Sequence, residues 1–279
     1  MSYMSEGIKA GLVDIHTHVL PEVDDGAASM HMALDMLRRA ESEGVQALVV
    51  TPHVRSHDEI ERDELHARRF DELQATAANS EIAVELFLGA ELAFRYGLAE
   101  VARWPSVPLA DGPYVLVDLP VGPMPTGLEQ GFFELRAAGF KPILAHPERH
   151  RELATSPDQV ERLRHQELLF QVDAGSFTGR FGRRAKATAE MFLQMGCIEF
   201  VGSDGHDLEK RPISLQSARR LVTQACGPLE AHRLFCLNPA SVVRGEPVVA
   251  RSQAATAAAI NPEQPSTWKR ISRAFTGGA

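Results

Sequence analysis

Short apolar runs alternate with segments of helical periodicity along most of the chain. Met30, Ala33, Leu34, Leu37 and Ala40 recur at the spacing of one helix face, which predicts a helix over 29–43. Ser29 suits its N-cap, and Gly44 is a stop signal. An apolar run then leads to His53, followed by a charged amphipathic helix over about 58–78 and a strand over 82–88. Residues 92–110 are less regular and predict a short helix before Pro105. A strand over 114–117 enters a Pro/Gly-rich loop at 120–127, and a helix runs to Ala138. Beyond it the pattern predicts strands over 143–145, 168–172 and 197–201. Helices near 158–164, 183–195, 214–223 and 229–235 complete it.

Roughly seven strand–helix units of this kind predict parallel strands with right-handed crossovers. The arrangement expected is an α/β fold with a TIM-like (β/α) barrel over residues 1–250. Residues 251–279 are poor in large apolar side chains and are expected to be disordered or loosely packed. A short partner-binding segment anchored by Trp268 and Phe275 is the alternative reading there. The alternative for the domain is an open doubly wound sheet, which collects ligands mainly at one switch point.

The strand ends carry the chemistry. His16 and His18 form a His-x-His pair at the end of the first apolar run. Later runs stop at His53, Glu91, Asp118, His146 and Asp204, with His206 two residues on. Barrel active sites are built at the carboxyl ends of strands, so these ends would converge on one site. Imidazole and carboxylate donors suit manganese, zinc or iron better than a soft metal. With Asp25 the candidates number nine, enough for two or three ions if one carboxylate bridges. Such a cluster can hold the attacking and leaving oxygens of an in-line displacement, and phosphate ester hydrolysis benefits most. Arg149 and Arg211 each follow a candidate ligand closely and could bind phosphate oxygens bidentately.

Each residue also has a plainer reading. Asp24-Asp25-Gly26 is a common turn composition, and Glu91 and Asp118 could be caps. Arg149 and Arg211 could make ordinary salt bridges. His31, His57, His66, His150, His165 and His232 read as non-ligands. Asp14 and Asp173 read as groups that orient a histidine.

Composition narrows the classes. The chain has 279 residues, 44% apolar and 24% charged, as in an ordinary soluble protein. No apolar run reaches membrane-spanning length and no signal peptide is evident, so a cytoplasmic location is expected. Cys197, Cys226 and Cys236 include no CxxC pair, which argues for reduced thiols and against a zinc-thiolate site. A net charge of −8 argues against nucleic-acid binding. It says little about an anion entering a pocket made positive by metal ions.

Taken with their order and spacing, these stretches resemble the PHP (polymerase and histidinol phosphatase) superfamily, and within it the CpsB/YwqE type of bacterial tyrosine phosphatase. The matching segments are Asp14-Ile15-His16-Thr17-His18 with Leu20-Pro21 and Asp24-Asp25-Gly26, Thr51-Pro52-His53, and Gly89-Ala90-Glu91. Ala145-His146-Pro147-Glu148-Arg149, Ala174-Gly175-Ser176 with Thr178-Gly179-Arg180-Phe181-Gly182, and Ser203-Asp204-Gly205-His206 complete the match over about 12–247. The resemblance implies a distorted seven-stranded barrel with three metal ions, usually Mn2+, iron and zinc being the alternatives. It implies hydrolysis of phosphotyrosine on a partner tyrosine autokinase of capsule or exopolysaccharide export. By position, His16, His18, Glu91 and Asp204 would hold one ion. Glu91 would bridge to a second held by Asp118 and His146, and Asp25, His53 and His206 would hold the third. Arg149 and Arg211 match the phosphate-binding arginines. Asp118 departs from the pattern, which usually has the longer glutamate there. The alternatives are a small-molecule phosphatase acting on a histidinol phosphate-like substrate, and a metal-bound regulatory protein that does not hydrolyse.

Overall fold

The computed structural model describes residues 11–55 and 60–251. Nine short segments pair in parallel throughout: β1 (Leu12–Thr17), β2 (Val45–Val50), β3 (His53–Val54), β4 (Glu85–Leu88), β5 (Glu91–Ala93), β6 (Tyr114–Asp118), β7 (Lys141–Ala145), β8 (Leu169–Asp173) and β9 (Phe200–Gly202). One sheet has the order β1-β2-β4 and the other β3-β5-β6-β7-β8-β9. The two sheets are continuous through the chain. Only Thr51 and Pro52 separate β2 from β3, and only Gly89 and Ala90 separate β4 from β5. Pairing persists across the breaks, because Gly89 N–H donates to the Val50 carbonyl and Glu91 N–H to that of Pro52. Taking each broken pair as one kinked strand leaves seven. The ring closes where Asp204 N–H donates to the His16 carbonyl at 3.0 Å and His18 N–H to that of Gly205 at 2.8 Å. The chain therefore forms the barrel that the strand–helix alternation predicts, with the seven distorted strands that the resemblance implies.

Side chains alternate between two cores, as the period of a strand requires. Val13, Ile15, Ala47, Val49, Leu116, Ile143, Ala145 and Phe200 pack together inside the ring. Ala240, Val242 and Val243 join them from α11 (Asn238–Val243) and plug its lower end. Leu12, Leu48, Val50, Val115, Val117, Leu144, Val172 and Val201 face outward and pack under the helices. This parity places the site. Tyr114 and Leu116 face inward, so Asp118 does too; Leu169 faces inward, so Gln171 and Asp173 follow it. The lumen is apolar at the strand starts and polar at their carboxyl ends.

The helices are α1 (Met30–Ser42), α2 (Ile60–Asn79), α3 (Leu98–Val101), α4 (Leu128–Ala137), α5 (Arg151–Thr155), α6 (Pro157–His165), α7 (Ala174–Thr178), α8 (Gly182–Met195), α9 (Gln216–Cys226), α10 (Pro228–His232) and α11. Ser29 caps α1, its hydroxyl accepting from Met32 N–H at 3.2 Å. None of the described helices is long and apolar enough to cross a membrane. Two predicted strands start later than expected, at Glu85 and Phe200. Ile82, Val84, Cys197 and Ile198 are buried against helices before sheet pairing begins, so their apolar character reports burial rather than strand. α5, α7 and α11 were not expected from the pattern. Arg251 is held in the domain, its guanidinium donating to the Leu193 carbonyl at 2.8 Å. The rest of the expected loose tail, with Trp268 and Phe275, lies outside the described residues, as does His57.

Beside β9, burial pushes the Glu199 carboxyl up to about 7, and Glu230 adds to the shift. The Phe170 N–H that donates to it at 2.9 Å opposes this only in part. The folded chain thus keeps a proton that an unfolded glutamate gives up near 4.5. That stabilisation is complete below pH 4.5 and is lost as pH rises through 7. Glu199→Gln is expected to stabilise the protein at pH 8 by about 1–3 kcal/mol, with little gain at pH 5. Thermal unfolding of both proteins at the two pH values checks it; an equal shift at both would refute the assignment.

Candidate metal centre

Glu91 stands at the middle of the polar end of the barrel. It is buried, and four imidazoles approach it: His53 Nδ1 at 2.8 Å, His146 Nε2 at 2.9 Å, and His16 and His18 Nε2 at 3.4 Å. Asp204 lies beside it, with Oδ1 3.5 Å from both His16 and His18 Nε2. His206 Nδ1 is 3.0 Å from the Asp204 carbonyl, which leaves Nε2 for the cluster. Asp25 is the exposed outer member, 3.2 Å from His53 Nε2 and 3.8 Å from His206 Nε2.

Local backbone geometry sets these positions. His146 and Asp204 leave β7 and β9 in left-handed conformation, at φ 34° and 51°. Residues other than glycine adopt that region at a cost of about 1–3 kcal/mol, and such strain concentrates at functional sites. Gly26 allows the Asp24-Asp25-Gly26 turn to fold back, because a Cβ there would lie 1.9 Å from the His18 carbonyl oxygen.

The imidazoles are oriented by groups that sequence reasoning missed or assigned otherwise. His16 Nδ1 lies 2.7 Å from Gln171 Oε1, and His18 Nδ1 2.8 Å from Asp24 Oδ2. Both rings therefore present Nε2 to the cluster, because a partner on one ring nitrogen fixes which nitrogen faces the other way. Asp24 also accepts from the N–H groups of Gly26 and His53. Asp14 was expected to orient a histidine ring, but its carboxylate accepts from the backbone N–H groups of His16 and Ser203. Asp173 acts at one remove, accepting from Gln171 Nε2 at 3.2 Å. Glu148 accepts from Asp173 N–H and the Ser176 hydroxyl, and burial pushes its carboxyl up to about 8.

The donor set fits a group of cations. Asp204 Oδ1 and His206 Nε2 are buried without a hydrogen-bond partner. Three overlapping sets of ligand atoms fall within reach of a shared ion: His16 with His18 and Asp204, His16 with Glu91 and His146, and His18 with His53 and His206. A fourth joins Asp24, Asp25 and His53. Asp118 belongs to none of the four. It lies 3.7 Å from His146 Nδ1, across the ring from Glu91. The charges balance within the cluster. Burial opposes ionisation of Glu91 and Asp204, but the neighbouring imidazoles outweigh it and hold both carboxyls well below their usual range. Burial likewise disfavours the charged His146 ring, yet Glu91, Asp173 and Asp118 carry it up to about 10. Burial, the His18 charge and Arg211 together take His206 down to about 3.

The two arginines meet the cluster on Asp204. Arg149 Nη1 donates to Asp204 Oδ2 at 2.8 Å and to Asp173 Oδ2 at 3.1 Å, while Arg211 Nη2 donates to the same Asp204 oxygen. Both guanidiniums lie over the Phe181 ring, at 4.6 and 5.9 Å. Gly175 makes room for that ring, since a Cβ there would come within 2.7 Å of it. A cleft of about 570 Å³ opens over this floor, and Leu119, Pro120 and Val121 form one lip. His150 lies on the wall, its ring outside every ligand set. His31 is exposed, and neither it nor His66, His165 or His232 belongs to a set.

Residues 12–244 match a protein family described as capsular polysaccharide synthesis, CpsB/CapC. The tyrosine-protein phosphatase YwqE of Bacillus subtilis is 31% identical over 77% of this chain and 85% of its own length. A putative tyrosine-protein phosphatase, CapC of Staphylococcus aureus, is 30% identical over 74% of this chain and 81% of its own. A crystal structure from work on YwqE of Bacillus subtilis and CpsB of Streptococcus pneumoniae, described as unique metal-dependent tyrosine phosphatases, superposes with a TM-score of 0.78. It is 26% identical and covers 86% of this chain and 97% of that one.

Proposed function

This chain belongs to the CpsB/CapC family of capsular polysaccharide synthesis, and from that premise we propose that it is a metal-dependent protein-tyrosine phosphatase acting on a partner tyrosine autokinase. In that role it regulates capsule or exopolysaccharide synthesis and export from the cytoplasmic side. The observation that carries the reading is the division of Asp204. One oxygen faces His16 and His18, and the other is held by Arg149 and Arg211. A phosphoryl group that reaches the metal ligands therefore comes within range of two guanidiniums.

The proposed ligands are His16, His18, Asp25, His53, Glu91, Asp118, His146, Asp204 and His206, holding three Mn2+ ions, with iron or zinc as alternatives. Bound ions of this kind supply Lewis acidity to phosphoryl oxygens and lower the pKa of water. The protein does the rest. Gln171 and Asp24 fix which nitrogen His16 and His18 present. Arg149 and Arg211 bind the phosphoryl oxygens and offset the charge they gain in the transition state. Leu119, Pro120 and the fully exposed Val121 offer an apolar lip to the phenyl ring. No cysteine lines the cleft, and burial pushes the Cys197 thiol up, so a cysteinyl-phosphate route has no nucleophile there.

The test is metal analysis of the purified protein, followed by phosphate release from a phosphotyrosine peptide, histidinol phosphate and an oligonucleotide. Release is expected from the peptide, abolished by a chelator, restored by Mn2+ and unaffected by thiol alkylation. Activity that survives complete demetallation, or faster release from histidinol phosphate, would overturn the reading.

A further inference from the structure

The cleft is lined by charges of both signs. The acidic residues that line it, Asp25, Glu91, Asp118 and Asp204, belong to the proposed ligand set. Every basic residue that lines it, other than the histidines, is an arginine: Arg55, Arg149, Arg151, Arg184 and Arg211. Arg149 and Arg211 are engaged by Asp204, and Arg55 lies 3.3 Å from Asp25. Arg151 and Arg184 are different. Both are exposed, and no carboxylate of the described residues pairs with either guanidinium.

Their places in the fold keep them together at one wall. Arg151 opens α5 directly after the His146–Arg149 turn, and Arg184 lies in the first turn of α8 just past Phe181. Among the cations that line the cleft, these two are the ones left without a carboxylate. Two left without one beside a catalytic cleft set up a local positive potential at its mouth, which attracts and orients anionic partners. Neither is among the guanidiniums that hold Asp204 on the floor.

We propose that Arg151 and Arg184 form a docking rim for carboxylate side chains flanking the phosphotyrosine, so that the preferred substrate is an acidic phosphopeptide. The proposal rests on the phosphatase reading for its substrate but adds the residues that choose among substrates. The phosphoryl group would be held at the floor by Arg149 and Arg211, and the phenyl ring would pass Val121 at the lip. The peptide's acidic side chains would meet Arg151 and Arg184 above. Exposed ion pairs are individually weak, so two of them should give a preference of roughly threefold to tenfold.

The experiment uses the Mn2+-loaded protein and three peptides of one length, with acidic, neutral or lysine-rich flanks around a non-hydrolysable phosphotyrosine mimic. Fluorescence anisotropy gives their affinities. The acidic peptide is expected to bind best, and its advantage to shrink as salt screens exposed charges. Arg151→Glu with Arg184→Glu is expected to reverse the order in favour of the lysine-rich peptide, which loss of fold would not do. Equal affinity for acidic and neutral peptides in the wild-type protein would overturn the proposal, whatever the variant does. So would an acidic preference that persists in a folded double variant. Turnover of the matching true phosphotyrosine peptides separates the two claims: acidic preference in binding without phosphate release would sink the phosphatase reading and leave the docking rim standing.

Discussion

Glu91→Gln is expected to lower the metal content of the purified protein and to reduce phosphatase turnover by on the order of a thousandfold or more, the several kcal/mol that ions contribute to such transition states. The reason is geometric. Among the described residues, Glu91 is the only carboxylate that His16, His18, His53 and His146 all approach within 3.4 Å. An ion held by His16, His18 or His146 would have this carboxylate within reach as a source of negative charge. Glutamine keeps the shape but offers a neutral oxygen and an N–H2 that points positive hydrogens at the same imidazoles. Elemental analysis checks the metal, and circular dichroism checks that the barrel survives. A fully loaded Glu91→Gln protein within tenfold of normal turnover would remove Glu91 from the proposed centre.

The sequence exposes the ligand candidates because they share a property that needs no partner to see. Eight of the nine are metal-binding residue types at or just past the end of a short apolar run, and β-strand burial makes those runs conspicuous; Asp25 comes from a turn. Seven of the nine, His16, His18, Glu91, His146, Asp204, His53 and His206, fall into three groups of buried or half-buried side chains that could share an ion. Asp25 joins from the exposed side, and Asp118 stays outside. Aspartate is one methylene shorter than glutamate, and the Asp118 carboxylate stops 3.7 Å from His146 Nδ1.

The supporting groups are much less legible. Gln171 is 155 positions from His16, the ring it fixes, and a glutamine in a strand carries no signature of that task. Asp24 lies next to Asp25 in the same turn, and only the folded geometry shows which one faces His18 and which reaches His53 and His206. Phe181 looked like one residue of a family motif, yet its ring underlies both arginines. Short α5 and α7 are similarly hidden, because five residues hold too little periodicity to distinguish a helix from a loop.

Arg149→Ala should cost about 2.7–4 kcal/mol of transition-state stabilisation, a hundredfold to thousandfold in turnover, if it acts as one charge-stabilising donor. Its charge is secure: burial disfavours the cation, but Asp173 and Asp204 outweigh that and hold its pKa above the ordinary arginine value. Its side chain is 33% exposed, so the guanidinium reaches the cleft while its Nη1 stays pinned to two carboxylates. Alanine also leaves Asp173, buried and already raised by burial and by Asp204, without its cation. Some loss of stability should therefore accompany the kinetic loss, and thermal unfolding and metal content must be measured on the same sample. Arg149→Lys separates the two effects. It keeps the charge beside Asp173 but lacks the planar fork that grips a phosphoryl group, so turnover should stay depressed while stability recovers. Because Arg211 holds the same Asp204 oxygen, the double variant should lose less than the two single losses combined. Full additivity, or normal turnover in folded, metal-loaded Arg149→Ala, would mean that the two arginines do not act on one phosphoryl group.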